Sequence, residues 1–106
     1  MQRARLFASI TMRLGTAGVN TYATATVTIR DAGSNLISGA IVTGEWSGAT
    51  TDKDTATTNT NGVVILQSNR VKRAASGTVF TITITNVVLE GYTYDSTYPI
   101  TASINN

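Results

Sequence analysis

Apolar and polar residues alternate along three long segments of the chain. The segments are Tyr22–Arg30, Gly77–Val87 and Tyr98–Ile104, and threonine fills most of the polar positions between alanine, valine, isoleucine and phenylalanine. Segments that alternate with a period of two residues and are rich in β-branched residues are typical of strands with one face packed on a core and the other in water. The pattern therefore predicts sheets that are apolar on one side and hydrated on the other.

Further segments bring the prediction to about seven antiparallel strands, with no helix. Three of them are Leu6–Leu14, Ala40–Ser47 and Val63–Gln67, with a short bridge at Leu36–Ile37 and room for an edge strand in the polar segment 48–60. Between these lie the connections, which are a loop at Gly15–Thr21, a hairpin turn at Asn61–Gly62 and a basic loop at Asn69–Ser76.

Short strands at regular spacing with turn signals between them predict an all-β fold, an immunoglobulin-like β-sandwich. A transthyretin-like sandwich, with the same layers in another strand order, is the alternative. At 106 residues the chain is predicted to be one domain, 1–106, with flexible ends at 1–5 and 105–106. The side chains predicted to form its core are Val27, Ile29, Val42, Trp46, Ile65, Phe80, Ile82 and Ile84.

An ordered set of local motifs strengthens this prediction. VTIRD at residues 27–31 leads into GAIVTGEWSG at 39–48, and TNGV at 60–63 is followed by GTVFTITITNV at 77–87 and GYTYD at 91–95. The series resembles the bacterial immunoglobulin-like domains appended to secreted and cell-surface proteins, such as extracellular peptidases and other hydrolases. Leu36 stands where that pattern usually has a proline. The resemblance implies a sandwich fold and a place in a larger exported protein, and it implies no shared ligand.

Composition argues against catalysis. The chain has no histidine and no cysteine, so general acid–base chemistry would need a carboxylate pair and a thiol nucleophile is excluded. Asp52 and Asp54 form the densest acidic pair, but two alternating aspartates with a lysine between them fall short of a calcium loop. We therefore expect a non-catalytic chain without metal or cofactor.

Charge and hydropathy limit the classes of partner that this chain is expected to have. The net charge is +2 and the basic residues are dispersed, which argues against nucleic acid as a partner. No segment has the length of a membrane-spanning helix, so we expect no membrane insertion. The low charge and the abundance of threonine and asparagine favour an extracellular location. Expected partners are neighbouring domains of the same polypeptide, with the chain itself monomeric or weakly self-associating.

Two functions from different classes follow. The first is a structural or accessory module, a spacer or docking domain within a larger secreted or surface protein. The alternative is a carbohydrate- or cell-wall-binding module, since aromatic rings stack on sugars and basic loops attract anionic polymers. The residues that would contact such a ligand are Tyr92, Tyr94, Tyr98, Arg70, Lys72 and Arg73. Trp46 is expected in the core, because it shares its face of the strand with Val42 and Gly44.

Overall fold

The computed structural model describes residues 4–94 and 100–106. This part of the chain contains nine strands and no helix. The strands are β1 (Ala4–Ala17), β2 (Asn20–Asp31), β3 (Ile41–Gly48), β4 (Asp52–Thr57), β5 (Val63–Gln67), β6 (Val71–Lys72), β7 (Val79–Val88), β8 (Tyr92–Tyr94) and β9 (Ile100–Asn105).

The strands form two sheets, so the all-β, two-layer prediction is confirmed. In the first sheet the order is β5-β2-β1-β8, with β6 also paired to β2, and in the second it is β4-β3-β7-β9. Every pairing is antiparallel except that of β1 with β8, which is parallel. Segments expected to be loops contain β6 and β8, which are two and three residues long. The polar segment 48–60, interpreted as a loop with room for a short edge strand, contains the six-residue edge strand β4.

The predicted loop at Gly15–Thr21 is wrong, because the first hairpin continues through it. β1 and β2 pair without a register shift from Leu6 opposite Asp31 to Ala17 opposite Asn20. Only Gly18 and Val19 remain for the turn. Gly18 has a φ of 62°, which suits the first central position of the type II′ turns that join tightly paired strands.

Asn61 and Gly62 form a turn, as their sequence suggests, but the turn does not close a hairpin. β4 lies in the second sheet and β5 in the first, so this connection crosses between the layers. The φ of Gly62 is 73°, and its carbonyl oxygen accepts a hydrogen bond from the Ile29 N–H at 2.8 Å. A Cβ at residue 62 would lie 2.9 Å from the Ile29 carbonyl oxygen, so both the turn and the packing favour glycine here.

Seven of the eight predicted core residues are buried between the sheets, and Ile65 is the exception. Its side chain is 64% exposed, whereas Val64 and Leu66 are buried. The first four of the five residues of β5 are apolar, so the pattern of this strand alone does not show which of its faces is inward. The register with β2 decides, because Val64 lies opposite Val27 and Leu66 opposite Ala25, both of which face the core.

Trp46 is the largest side chain buried in this core and is 2% exposed. Gly44, two residues earlier on the same inward face, leaves the space that large side chains fill, since a Cβ there would lie 2.8 Å from Leu66 Cδ1. A register shift after Thr43 leaves Thr85 as an extra residue on β7. This bulge resets the alternation of β7, so that Val87 faces inward after Ile84.

The described ends of the chain lie at opposite ends of the long axis of the molecule, which measures 52 × 26 × 19 Å. Ala4 pairs with Tyr92 at the end of β1 farthest from the Gly18–Val19 turn. The Asn106 side chain donates to the Ala74 carbonyl oxygen. Arg73, which precedes Ala74 in the chain, donates its N–H to the carbonyl oxygen of Val19 in the turn. Residues 105 and 106, expected to be flexible, are thus hydrogen-bonded beside this turn.

Candidate functional site

The two tyrosines of the candidate site that the structure describes lie in β8. Tyr92 pairs with Ala4 and Tyr94 with Leu6. Leu6 is fully buried, so residues 92 and 94 share the inward face of the first sheet. Both rings are half-buried and pack against the core, which leaves only part of each surface for a ligand. Tyr98 lies outside the described residues.

The basic residues of the candidate site are held at the other end of the same sheet. Lys72 pairs with Asn20 and Val71 with Thr21, next to the Gly18–Val19 turn. The Arg73 N–H donates to the Val19 carbonyl oxygen at 2.7 Å, and the Arg73 φ of 52° turns the chain away from the sheet. The predicted basic loop is therefore ordered by backbone pairing to β2.

An aromatic ring completes this end of the sheet. The Arg70 guanidinium carbon lies 5.5 Å from the centroid of the Tyr22 ring, within the range of a cation–π contact. Tyr22 itself lies across Gly15 on β1, where an added Cβ would come within 2.7 Å of two ring carbons and the hydroxyl oxygen of the tyrosine. The glycine thus lets the tyrosine ring lie flat on the sheet with the arginine above it.

A fourth cation joins the cluster through the register of β1. Arg13 pairs with Thr24, two residues from Tyr22 on the outward face, and Lys72 lies opposite Asn20 on that face. We call Arg13, Tyr22, Arg70, Lys72 and Arg73 the basic corner. The pairing registers place no acidic side chain on the outward face of the first sheet within residues 4–94.

The structure therefore separates the five predicted ligand contacts that it describes into two places. The described tyrosines flank Ala4–Leu6, and β6 flanks the strand positions opposite Thr16 and Ala17. Ten residues of β1 separate Leu6 from Thr16, which corresponds to about 33 Å along a strand. A small ligand cannot contact both groups, which also lie on opposite faces of the first sheet.

Asp52 and Asp54, the acidic pair on β4, both accept hydrogen bonds from neighbouring side chains. The Trp46 indole N–H donates to Asp54 Oδ2 at 2.9 Å, and the Thr50 hydroxyl donates to Asp52 Oδ1 at 3.2 Å. Burial raises the pKa of Asp52 above its ordinary value, and the Asp54 charge adds to that increase, while hydrogen bonds from Thr50 and the Asn69 backbone oppose it. The described residues contain no group of three or more His, Cys, Asp or Glu side chains that could hold a metal ion.

The predicted contact residues include neither Arg13 nor Tyr22 of the basic corner. The available signal was the turn at Gly18, because centring a tight hairpin on Gly18–Val19 places Gly15 opposite Tyr22 and Arg13 beside it. Because Gly15–Thr21 was interpreted as a loop, the pairing of Gly15 with Tyr22 was not predicted. The hydrogen bond between Trp46 and Asp54 had no signal of its own, since it depends on how β3 aligns with β4.

Comparison with known proteins adds no relative to this description. No family model, no curated protein and no solved structure matches the chain. The described residues also include no helix long and apolar enough to cross a lipid bilayer.

Proposed function

We propose that this chain is a non-catalytic, immunoglobulin-like module that acts as a spacer or docking domain in a larger secreted or cell-surface bacterial protein. The observation that carries the proposal is the placement of the two described ends of the chain along a 52 Å axis. Ala4 lies at one end of this axis, and Asn106 lies at the other, beside the Gly18–Val19 turn. A polypeptide continuing beyond both ends would hold its neighbours at opposite ends of this module. The radius of gyration is 14.6 Å, against about 13 Å for a compact domain of about 100 residues.

The strand order supports the immunoglobulin-like assignment. In that fold the first, second and fifth strands share one sheet, and the third lies with the last two in the other. Here β1, β2 and β5 form one sheet, and β3 pairs with β7, which pairs with β9. Trp46 on β3 matches the buried tryptophan found on the third strand of immunoglobulin domains.

The chemistry of the chain supports a non-catalytic role. It contains no histidine or cysteine, and both aspartates of β4 are engaged in hydrogen bonds that fix the core and its edge. Outward hydroxyls of the second sheet hydrogen-bond to one another, as in the pair Thr83 and Thr101 at 3.1 Å.

Single-molecule Förster resonance energy transfer between the two ends of the chain tests the spacer proposal. A fluorescent protein is fused to each end of the chain, and a matched fusion replaces the chain by a Gly/Ser linker of equal length. A spacer gives one narrow, low-efficiency population, whereas the linker gives a broad one. A Trp46→Ala fusion, which lacks the central core side chain, is expected to broaden toward the linker. A broad distribution for the unaltered chain contradicts the proposal.

A second candidate function, binding of an anionic carbohydrate or cell-wall polymer, is favoured by the basic corner. Arg13, Arg70 and Lys72 lie with the Tyr22 ring at one end of an outward face on which the registers of residues 4–94 place no carboxylate, and the Tyr22 ring lies flat on the sheet. A polyanion would gain charge pairing from Arg13, Arg70 and Lys72, and a sugar ring could stack beside the arginine on Tyr22.

Co-sedimentation with insoluble polysaccharides, run beside titration with a soluble polyanion, tests this candidate. Binding through the basic corner predicts a loss of affinity on raising the salt concentration, because exposed charges are screened. Arg70→Ala is expected to weaken binding, and Lys53→Ala, on the outward face of the second sheet, is the matched control. Equal loss in both variants, or no retention at low salt, rejects the candidate and leaves the spacer proposal standing.

A further inference from the structure

The outward face of the first sheet has an arginine and an aromatic ring at the end opposite to the basic corner. Arg30 on β2 pairs with Phe7 on β1, and both side chains are exposed. The next outward pair toward the basic corner is Thr28 and Ser9. Together with Ala8, these four residues line an open pocket of about 90 Å³. A guanidinium, a phenyl ring and two hydroxyls thus surround one depression in the face.

The strand pairings place no carboxylate beside Arg30 on this face within residues 4–94. Asp31, the next residue, lies on the inward side of β2, opposite the buried Leu6. Its carboxylate accepts hydrogen bonds from the backbone and side chain of Asn35. On the side of Arg30 away from β1, a backbone bridge joins it to the apolar Leu36. The charge of this arginine is therefore placed to attract an anionic ligand.

The basic corner repeats this combination of an aromatic ring, a cation and a hydroxyl. Tyr22 and Thr24 are successive outward residues of β2, Arg13 pairs with Thr24, and Arg70 lies over the Tyr22 ring. Tyr22 and Arg30 are eight residues apart on one strand, which corresponds to about 27 Å. One face therefore carries two groups of the same kind, one at each end.

Between these two groups the face is uncharged and rich in hydroxyls. The outward residues there are Thr24, Thr26 and Thr28 on β2, with Ser9 and Thr11 beside them on β1. A hydroxyl both donates and accepts hydrogen bonds, as the hydroxyls of a sugar do. The middle of the face thus offers hydrogen-bond partners to a sugar chain without offering it charge.

We propose that a chain of an acidic polysaccharide lies along β2 on this face, with one carboxylate bound at Arg30 and another at the basic corner. Arginine presents a planar fork of donors that matches a carboxylate, and Phe7 and Tyr22 offer their rings to the sugars. This inference rests on the second candidate function, and it extends the site from the basic corner to the length of the face.

The spacing of the cations favours this ligand over a nucleic acid. Arg30 and the partner of Arg13, Thr24, are six residues apart on β2, which corresponds to about 20 Å. Proteins that bind single-stranded nucleic acids follow the backbone with a positively charged groove and stack successive bases on aromatic side chains. Here the cations and rings are confined to the two ends. A polysaccharide with neutral sugars between its acidic ones fits that distribution.

NMR titration of the whole chain with hyaluronan fragments, which bear a carboxylate on every second sugar, tests whether one ligand spans the face. A disaccharide has a single carboxylate and cannot bridge the two ends, whereas a decasaccharide can. We expect the decasaccharide to bind at least about a hundredfold more tightly, because its second contact is intramolecular. The shifted amide signals should follow β2 from Tyr22 to Arg30.

Substitutions along the face locate the contacts. Arg30→Ala should weaken decasaccharide binding at least about tenfold, and Arg30→Lys, which keeps the charge and loses the fork, should weaken it less. Thr26→Glu places a carboxylate midway between the two ends, so it should repel a chain that crosses the face far more than a disaccharide at one end. Lys53→Ala and Thr81→Glu, outward on the second sheet, are the matched controls and should leave binding unchanged.

Three results overturn the inference. Equal affinity for the disaccharide and the decasaccharide, reduced by Arg70→Ala and not by Arg30→Ala, would leave binding at the basic corner and remove the site at Arg30. No binding of either hyaluronan or polygalacturonate fragments would remove both this inference and the second candidate function. Tighter binding of an oligothymidylate than of the decasaccharide, weakened by Arg30→Ala, would assign the face to nucleic acid.

Discussion

β1 and β2 carry the same alternation and pair with each other from end to end, yet they bury their inward side chains to different depths. On β2 the inward residues are fully buried, and on β1 only Leu6 is, while the next four are half-buried. The sets are Ala23, Ala25, Val27 and Ile29 on β2 and Ala8, Ile10, Met12 and Leu14 on β1.

The difference follows from the neighbours of each strand. β2 lies between β1 on one side and β5 and β6 on the other, whereas β1 has β8 beside only its first three residues. Alternation shows which face of a strand points inward, and the number of flanking strands decides how much water that face loses. Four substitutions measure how burial differs between the two faces of a sheet and between central and edge strands, beginning with the largest expected effect.

Phenylalanine offers the widest contrast. Phe80 on β7, between β3 and β9, is fully buried, and Phe7 on β1 is 40% exposed. Phe80→Ala should lower the free energy of unfolding by about 3–5 kcal/mol, and Phe7→Ala by less than about 1 kcal/mol. Urea denaturation at low protein concentration measures both. Similar losses would mean that Phe7, on the outward face of β1, is covered as completely as Phe80 in the core.

Isoleucine sharpens the comparison within one hairpin. Ile29 on β2 is fully buried, and Ile10 on β1 is half-buried on the same face. We expect Ile29→Ala to cost about 3 kcal/mol and Ile10→Ala about 1 kcal/mol, since the exposed part of a side chain loses little on truncation. The same denaturation assay applies, and the ratio of the two losses is the informative quantity.

Trp46→Phe probes how the second sheet holds its edge strand β4. The substitution retains an aromatic ring and removes the N–H that donates to Asp54 Oδ2. Leaving a partly buried carboxylate without this donor should cost about 1–2 kcal/mol. Asp54→Ala should cost a similar amount, and the double variant less than the sum of the two. Additive losses in this double-mutant cycle would show that the hydrogen bond contributes nothing.

The smallest effect is a pH dependence at the ends of β2 and β4. Burial raises the pKa of Asp52, so the folded state binds this proton more tightly, and its contribution to stability grows as pH falls through the raised pKa toward 3.8. Asp31 behaves oppositely, because hydrogen bonds from Asn35 lower its pKa, and its contribution is lost as pH falls through the lowered value.

Melting temperatures between pH 3 and pH 7 separate the two groups. Asp52→Asn should remove the gain in stability on acidification, and Asp31→Asn should remove the loss at the lowest pH. Parallel profiles for the two variants and the unaltered chain would contradict both assignments.

Most of the architecture follows from the sequence, and the parts that do not depend on pairing between strands. The alternation along Tyr22–Arg30 predicts its inward face correctly because β2 has polar and apolar residues in strict succession. β5 is apolar at four of five positions, so its phase comes only from its alignment with β2, and Ile65 was predicted on the wrong face.

The candidate site shows the same dependence. Arg70, Lys72 and Arg73 stand out in the sequence as a cluster, but Arg13 is far from them along the chain and joins them only through the β1–β2 register and the pairing of β6. The tyrosines of β8 face inward because β8 aligns in parallel with Ala4–Leu6. No local pattern in residues 89–96 encodes that alignment.

The positions of the two ends also determine how this domain would respond to mechanical force. Tension applied at Ala4 and Asn106 runs along the strands, while the hydrogen bonds that join β1 to β2 run across them. All the bonds of that twelve-residue ladder would be loaded together in shear, instead of opening one after another. A domain built this way resists stretching along its length, as the proposed spacer role requires.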